Sequence, residues 1–453
     1  MLLLAGLRNG ASCVTHGNVN RLAIRRNAMK SVSAGLSTGA SRWNQSPSIM
    51  PFAWLSVRLS AYVLTVAMLL SGGSNAATPS NSSRANNSNH IVQTVPVVRR
   101  VVTIGFAGPL SGDSAGIGQS MVHAAEMALA EANAGDPHID GMPVEFRLLA
   151  QDDQGNERIA ALVAKYLVKA GAIAVVGHWQ STSSVSAAPV YHAANIPQVS
   201  PGSSSMKLTA NGFENVFRVV GHDGDISRHL VQFAQQNLHA KRIAVINDDT
   251  IYGTMLANLF SQDLQLKQGA LVARHSISSK TSDFNAAMND LKIKNPDIVF
   301  FGGLMAQAAV LQASLKRAHI NASMIAAGGI VSPIYLSLTG ATGEGTFGIA
   351  TGLPQGSMNG WKKFHKKFVA TYGDHIDYYA PFAYDAANVI IAAIMQADSL
   401  LPAKLNQTLH NLKYKGLTGQ ISFDSQGNLN NPAYTVFRVQ GGKWVPTQTY
   451  GGK

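Results

Sequence analysis

From Val101 onward, short runs of β-branched and apolar residues alternate with stretches whose apolar positions recur every three or four residues. The strand-like runs are 101–107, 144–150, 172–177, 242–249, 297–303 and 323–329. Between them Val122, Ala125, Leu129 and Ala132, and later Ile159, Leu162, Val163 and Leu167, keep a helical spacing. Alternation of this kind predicts an α/β fold in which helices cover both faces of a parallel sheet. The rhythm breaks at 215–225, where a strand-like run passes into a Gly/Asp loop, and then restarts. Two doubly wound lobes joined at that point are the expectation. The stretch 346–352 and the helix running from Asp385 to Ala397 must then return to one lobe or the other.

Composition narrows the picture. The chain has 453 residues, 46% hydrophobic and 13% charged, enough apolar material for two or three units of ~150 residues. Its net charge of +12 suggests nucleic acid until the charges are located. Residues 1–112 contain ten Lys/Arg and no Asp or Glu, which leaves 26 basic against 24 acidic, or +2, from Asp113 onward. The basicity belongs to the leader, so no nucleic-acid partner is expected. The single cysteine, Cys13, lies there too, which removes disulfides, thiolate metal sites and a catalytic Cys from the rest.

The leader has its own pattern. Arg58 precedes an apolar run from Leu59 to Leu70, and small residues follow, ending in Ser74-Asn75-Ala76-Ala77. This order reads as a secretory signal peptide starting at Met50, with cleavage within a few residues of Thr78. The competing reading is an N-terminal membrane anchor, although the run is shorter than the ~20 residues that span a bilayer. Residues 1–77 are thus a leader, and 78–96, rich in Asn and Ser, a flexible tether.

Several motifs invite chemistry. Gly112-Asp113-Ser114-Ala115-Gly116 is a literal G-x-S-x-G, but Gly108 to Ser111 separate it from the preceding strand, whereas a nucleophile elbow needs the pentapeptide at the strand end. Neither dinucleotide nor P-loop spacing is present, nor H-E-x-x-H, so no cofactor or metal is expected. Histidines 178, 222, 229 and 239 lack ligand spacing and read as surface or seam residues. More informative are hydroxyl-rich segments directly after strands, Gly177 to Ser184 and Ser200 to Ser205. In a doubly wound sheet these edges face the ligand crevice, and hydroxyls beside a helix N-terminus suit a carboxylate. The plainer reading, that Ser181 and Ser204 are helix caps, stays open.

The ordered phrases IGFAGPLSGDSAGIGQ, QDDQGNERIAALVAKYLV, VVGHWQSTSS, IPQVSPGSSSMKLT, FRVVGHD, AVINDDTIYG, DIVFFGG and GLTGQISFDSQGNL resemble the periplasmic solute-binding proteins of branched-chain amino-acid ABC transporters. The resemblance runs from Val101 to about Gly442. It implies the periplasmic binding protein type I fold, with two lobes joined by three crossovers, near 221–223, 349–353 and 430–434, closing on a ligand by hinge motion. Lobe 1 would be 97–221 plus 352–431, and lobe 2 would be 222–351 plus 432–453. Carried over position by position, the α-carboxylate contacts fall on Ser181, with Thr182 in the backbone after it, and on Ser204. The ammonium-binding carbonyl falls on Gly202, the aromatic lid of the second lobe on Tyr252, and Trp179 lies against the ligand side chain. Three positions depart: Ile117 and Leu304 stand where aromatics are common, and Gly328 where an acid pairs with the ammonium.

The resulting expectation is a non-enzymatic, monomeric, exported protein that captures an amino acid or a related carboxylate or amide and delivers it to a membrane-embedded ABC permease. The competitors are a sensor module of a membrane receptor and a serine esterase using Ser114. With Gly328 at the acidic position, an ammonium needs another partner, and Asp249 and Asp223 are the candidates. If neither reaches the cleft, a ligand without an α-ammonium is expected, its tail against an apolar wall of Leu304 and Ile117.

Overall fold

The structure, a computed structural model, describes residues 98–452 apart from 279, 282 and 374. The signal-peptide run, its cleavage site and the tether lie outside the described residues. The chain begins with β1 (Arg100–Gly108), α1 (Ala115–Ala134), β2 (His138–Ile139), β3 (Met142–Asp152), α2 (Glu157–Lys169), β4 (Ala174–Gly177), α3 (Ser181–Ala193), β5 (Gln198–Ser200) and β6 (Val216–Arg218). These form a six-stranded sheet in the order β2-β3-β1-β4-β5-β6, parallel except for β2. β1 is apolar and almost wholly buried from Val102 to Gly108, as a strand with helices on both faces must be.

A second series follows: α4 (Asp223–Gln236), β7 (Arg242–Asp248), α5 (Ile251–Leu266), β8 (Ala270–Ile277), α6 (Asn285–Lys294), β9 (Ile298–Gly302), α7 (Met305–Arg317), β10 (Ser323–Ala327), α8 (Pro333–Thr339) and β11 (Phe347–Thr351). The chain then leaves for α9 (Trp361–Tyr372), α10 (Ala380–Ala397), α11 (Pro402–Asn411) and the small hairpin β12 (Tyr414–Lys415) and β13 (Gln420–Ile421). It returns as β14 (Tyr434–Gln440) and β15 (Lys443–Tyr450). The second sheet has the order β15-β14-β11-β10-β9-β7-β8, in which β14 alone runs against the others, antiparallel to both β11 and β15.

α10 is long and apolar enough to cross a membrane by length and composition, but it is mostly buried and packs along α1. Two strands escape the apolar pattern for physical reasons. β8 is an edge strand whose residues are mainly exposed or half-buried, and β15 is the opposite edge, mostly exposed. Edge strands carry no continuous apolar run.

The three passages between the sheets run side by side. Gly221 N donates to Thr351 Oγ1 at 2.7 Å, Gly352 N donates to the Ala433 carbonyl at 2.5 Å, and Thr435 Oγ1 donates to the Gly352 carbonyl at 2.8 Å. In the first sheet β1 lies between β3 and β4, and in the second β7 lies between β8 and β9. Strand order reverses at both places, so the loops leaving β4 and β9 open a crevice at the carboxyl edges.

Asp385 fixes the returning α10. Fully buried, it accepts hydrogen bonds from Leu417 N at 2.9 Å, Thr418 N at 2.7 Å and Thr418 Oγ1 at 2.6 Å, while burial pushes its carboxyl up to about 6. Asp385→Ala would strand three buried donors, so a loss of ~2–4 kcal/mol is expected in urea denaturation. An unchanged midpoint would show that the 416–419 turn finds other partners.

Candidate functional site

The crevice lies where the carboxyl ends of both sheets face one another, with about 600 Å³ of empty space when the solvent at its open side is counted. All six residues singled out from the sequence, Trp179, Ser181, Thr182, Gly202, Ser204 and Tyr252, line it. So do two of the departing positions, Leu304 and Gly328.

The segment after β4 is held from below. His178 is fully buried, with Nδ1 2.6 Å from Asp153 Oδ2 and Nε2 3.1 Å from the Tyr191 hydroxyl. Its carbonyl accepts from Ser184 Oγ at 3.0 Å and Ser200 Oγ at 2.8 Å. This corrects the surface or seam reading for His178, because its pairing with an aspartate 25 positions away carries no local spacing signal. Trp179 and Ser181 follow on that fixed base. Ser181 is the first residue of α3 and its hydroxyl makes no capping bond; Gln180 is the cap residue. Ser204 is not a cap either, since Ser205 fills that role for the short helix after it. The caps reading therefore fails at both serines, and both hydroxyls line the crevice beside the free first-turn N–H groups of α3.

Arg218, at the end of β6, shapes the second hydroxyl segment. Fully buried, it donates to the carbonyls of Ser203 at 3.2 Å and Ser205 at 2.9 Å and to Thr209 Oγ1 at 2.7 Å. Burial lowers its guanidinium to about 10, and the nearby Asp223 carboxylate opposes that fall. Arg218 was not anticipated; an arginine inside the apolar FRVV run is the signal that could have found it.

Asp223, the first residue of α4, has no solvent exposure, and neither carboxylate oxygen accepts a hydrogen bond of good geometry. Its N–H donates to the Ser204 carbonyl at 2.8 Å, directly behind the crevice wall. Burial pushes its carboxyl up to about 6, with the Ser204 hydroxyl and Arg218 charge working against that rise. Burial raises both the Tyr252 and Tyr379 phenols; the Asp223 charge adds to the rise at Tyr252, while at Tyr379 the Asp377 charge adds more than that of Asp223. Neither acidic candidate is among the crevice-lining residues: Asp223 is buried behind Ser204, whereas Asp249 is exposed to solvent. At Gly328 an added Cβ would lie 3.3 Å from the Tyr379 hydroxyl and 3.4 Å from the Ile349 carbonyl, so even an alanine there would press on Tyr379.

The apolar wall differs from expectation in one place. Ile117 is fully buried within α1 and does not line the crevice; Val220, Ile226 and Leu304 do. Ile117 faces the core because α1 turns that side toward the sheet, a choice the loop-like reading of residues 112–118 could not make. Tyr379, also unanticipated, packs edge-on against Trp179 with ring centroids 5.6 Å apart. Ser114 lines a second hollow beside the crevice, whose lining includes no histidine to serve as a base.

Comparisons with known proteins agree with this architecture. The profile of the family described as periplasmic binding protein matches residues 101–443. The "Leu/Ile/Val-binding protein homolog 3" of Brucella melitensis is 28% identical over 348 residues, covering 76% of this chain and 93% of the relative. An "amino acid binding protein" of Pseudomonas aeruginosa is 29% identical over 343 residues, covering 74% and 89%. A branched-chain amino acid transporter substrate-binding protein of Streptococcus pneumoniae, solved with isoleucine, superposes with a TM-score of 0.71 at 22% identity, over 78% of this chain and 100% of that one. A solute-binding protein of R. palustris solved with benzoate gives 0.68 at 18%, over 78% and 97%. At these identities the two structures speak to the fold alone.

Gly202 tests whether the indole matters. A Cβ there would sit 2.2 Å from Trp179 Cδ1 and 3.0 Å from the Trp179 carbonyl. Gly202→Ala is expected to keep the fold, displace the Trp179 ring and weaken ligand binding about tenfold or more. Near-UV circular dichroism beside a binding titration checks it, and unchanged affinity would remove Trp179 from the site.

Proposed function

The chain belongs to the periplasmic binding protein family, and from that premise we propose that it captures an α-amino acid and delivers it to a membrane-embedded ABC permease. It is a solute-binding protein and not an enzyme, and it works in the periplasm. In this proposal the signal peptide at 50–77 exports it, and lobes 97–221 plus 352–431 and 222–351 plus 432–453 close on the ligand about the three hydrogen-bonded passages.

The observation that carries the amino-acid reading is the buried carboxylate of Asp223, which accepts no hydrogen bond of good geometry and is offset only by the Ser204 hydroxyl and the Arg218 charge, close to Tyr252 and Tyr379. A buried charge without a partner costs several kcal/mol, and a ligand ammonium removes that cost. Across the crevice, Ser181, Ser204 and the first N–H groups of α3 form a donor set for the α-carboxylate, with no basic side chain in the lining to overpower the ammonium site. The Gly202 carbonyl would share the ammonium. Trp179, Tyr252, Val220, Ile226 and Leu304 supply an apolar surface for the first carbons of the side chain. Gly328 therefore does not remove the ammonium partner; Asp223 supplies it from the first passage.

Ser181→Ala and Ser204→Ala should each weaken leucine binding about tenfold or more, because a hydrogen bond to a charged group contributes ~1.5–3 kcal/mol. Since neither hydroxyl caps a helix, the melting temperature of the unliganded protein should stay nearly constant. A fall in stability with intact affinity would return these serines to a structural role.

Asp223 gives a pH signature of defined sign. Its carboxyl is raised to about 6, so below that pH it is protonated in the free protein and cannot pair with an ammonium. Leucine affinity should fall as pH drops from 7 to 5, and the 2-keto analogue should not follow that decline. Asp223→Asn should flatten the leucine profile at the weaker level. Titration calorimetry of the two ligands side by side checks this; tight keto-acid binding with no leucine response would overturn the amino-acid reading.

A further inference from the structure

Beside the crevice, across Leu304, lies a second hollow of about 710 Å³, counting the solvent at its open side. One side is the loop 109–114; the other is Asp248, Thr250 and the start of α7. The two chambers share Gln180, Thr250 and Leu304, and none of the groups assigned to the carboxylate or the ammonium. In the proposed pose, where Leu304 lies against the ligand's side chain, the second hollow adjoins that end of the ligand.

Its walls are held in place. Leu110 N and Ser111 Oγ both donate to the Asp152 carboxylate, at 2.8 and 2.5 Å. The Gln180 amide packs over Gly155, where φ is +61° and an added Cβ would lie 2.6 Å from Oε1. Ile117 lines neither chamber. The chemistry also changes at Leu304. The first chamber is mainly apolar, whereas here Ser111, Ser114, Gln154 and Gln180 offer hydroxyls and amides, Asp113 and Asp248 bring negative charge, and no Lys, Arg or His takes part. Asp248 is already engaged by Thr250 and the Leu304 N–H, while Asp113 is exposed on the loop.

We infer that this chamber is a subsite for the polar end of a long side chain, neutral or cationic and able to donate hydrogen bonds, such as a ureido or guanidinium group. The inference rests on the amino-acid reading above: the carboxylate and ammonium occupy the first chamber, the methylenes pass Leu304, and the terminal N–H groups meet the oxygens of the loop and of Gln154. A terminal carboxylate is disfavoured there, because like charges face each other in a confined space.

The test is calorimetric titration of the mature protein with leucine, citrulline, arginine and glutamate. Citrulline and arginine are expected to bind at least as tightly as leucine, and glutamate about tenfold or more weakly. Asp113→Lys, a substitution on an exposed loop, should raise the arginine-to-leucine Kd ratio about tenfold and the citrulline-to-leucine ratio less. Leucine binding accompanied by much weaker binding of both citrulline and arginine would overturn the subsite while leaving the amino-acid reading intact. Equal loss of arginine and leucine in Asp113→Lys would also count against it. Binding of none of the four would overturn the amino-acid reading itself, and the subsite with it.

Discussion

Asp223 is fully buried, its two carboxylate oxygens lack hydrogen-bond partners of good geometry, and burial pushes its carboxyl up to about 6. In isolation this arrangement is unfavourable by several kcal/mol. It persists because its surroundings are over-determined: the Asp223 N–H is tied to Ser204, and buried Arg218 holds the carbonyls on either side of Ser204. The arginine charge softens the cost without satisfying the oxygens. What remains unsatisfied is a negative site beside a crevice otherwise furnished with hydroxyls and apolar surface. In the proposed function a ligand cation completes it, and the hydroxyls and first-turn N–H groups opposite would take the carboxylate of the same zwitterion.

The same residue connects binding to movement. Asp223 lies two positions beyond Gly221, whose N–H bonds Thr351, and the next residue back, His222, donates its N–H to the Tyr434 hydroxyl at 3.1 Å. Thr351 also lines the crevice. The three passages between the sheets are therefore joined to one another where they meet the ligand groups. A hinge motion that shifted one passage against the others would alter the surroundings of Asp223, so in the proposed function closure and capture would act through shared hydrogen bonds. Linkage of this kind lets the ligand favour the closed state only through contacts made better there.

Much of this was legible in the sequence, and the reasons differ by residue. Buried parallel strands announce themselves as apolar runs, so the ends of β4, β5, β7, β9 and β10 could be placed, and with them the hydroxyl segments that line the crevice. Edge strands β8 and β15 could not, because a half-solvated strand has no continuous apolar signal. Asp223 could be named as a candidate but not chosen over Asp249, since two acids in loops after strands look alike until one is buried. Arg218, Tyr379 and the pairing of His178 with Asp153 depend on contacts between distant segments. Ile117 was misread because one residue's helical face cannot be assigned within a Gly-rich loop.

Proton release on binding tests the central claim most directly. At pH 5 to 5.5 the free protein holds Asp223 largely protonated, whereas a bound ammonium requires it ionised. Leucine binding measured by calorimetry in buffers of different ionisation enthalpy should therefore release close to one proton per ligand at that pH and essentially none at pH 8. The release should vanish in Asp223→Asn. Tight leucine binding with no proton release at pH 5 to 5.5, or with release that survives in Asp223→Asn, would contradict the account.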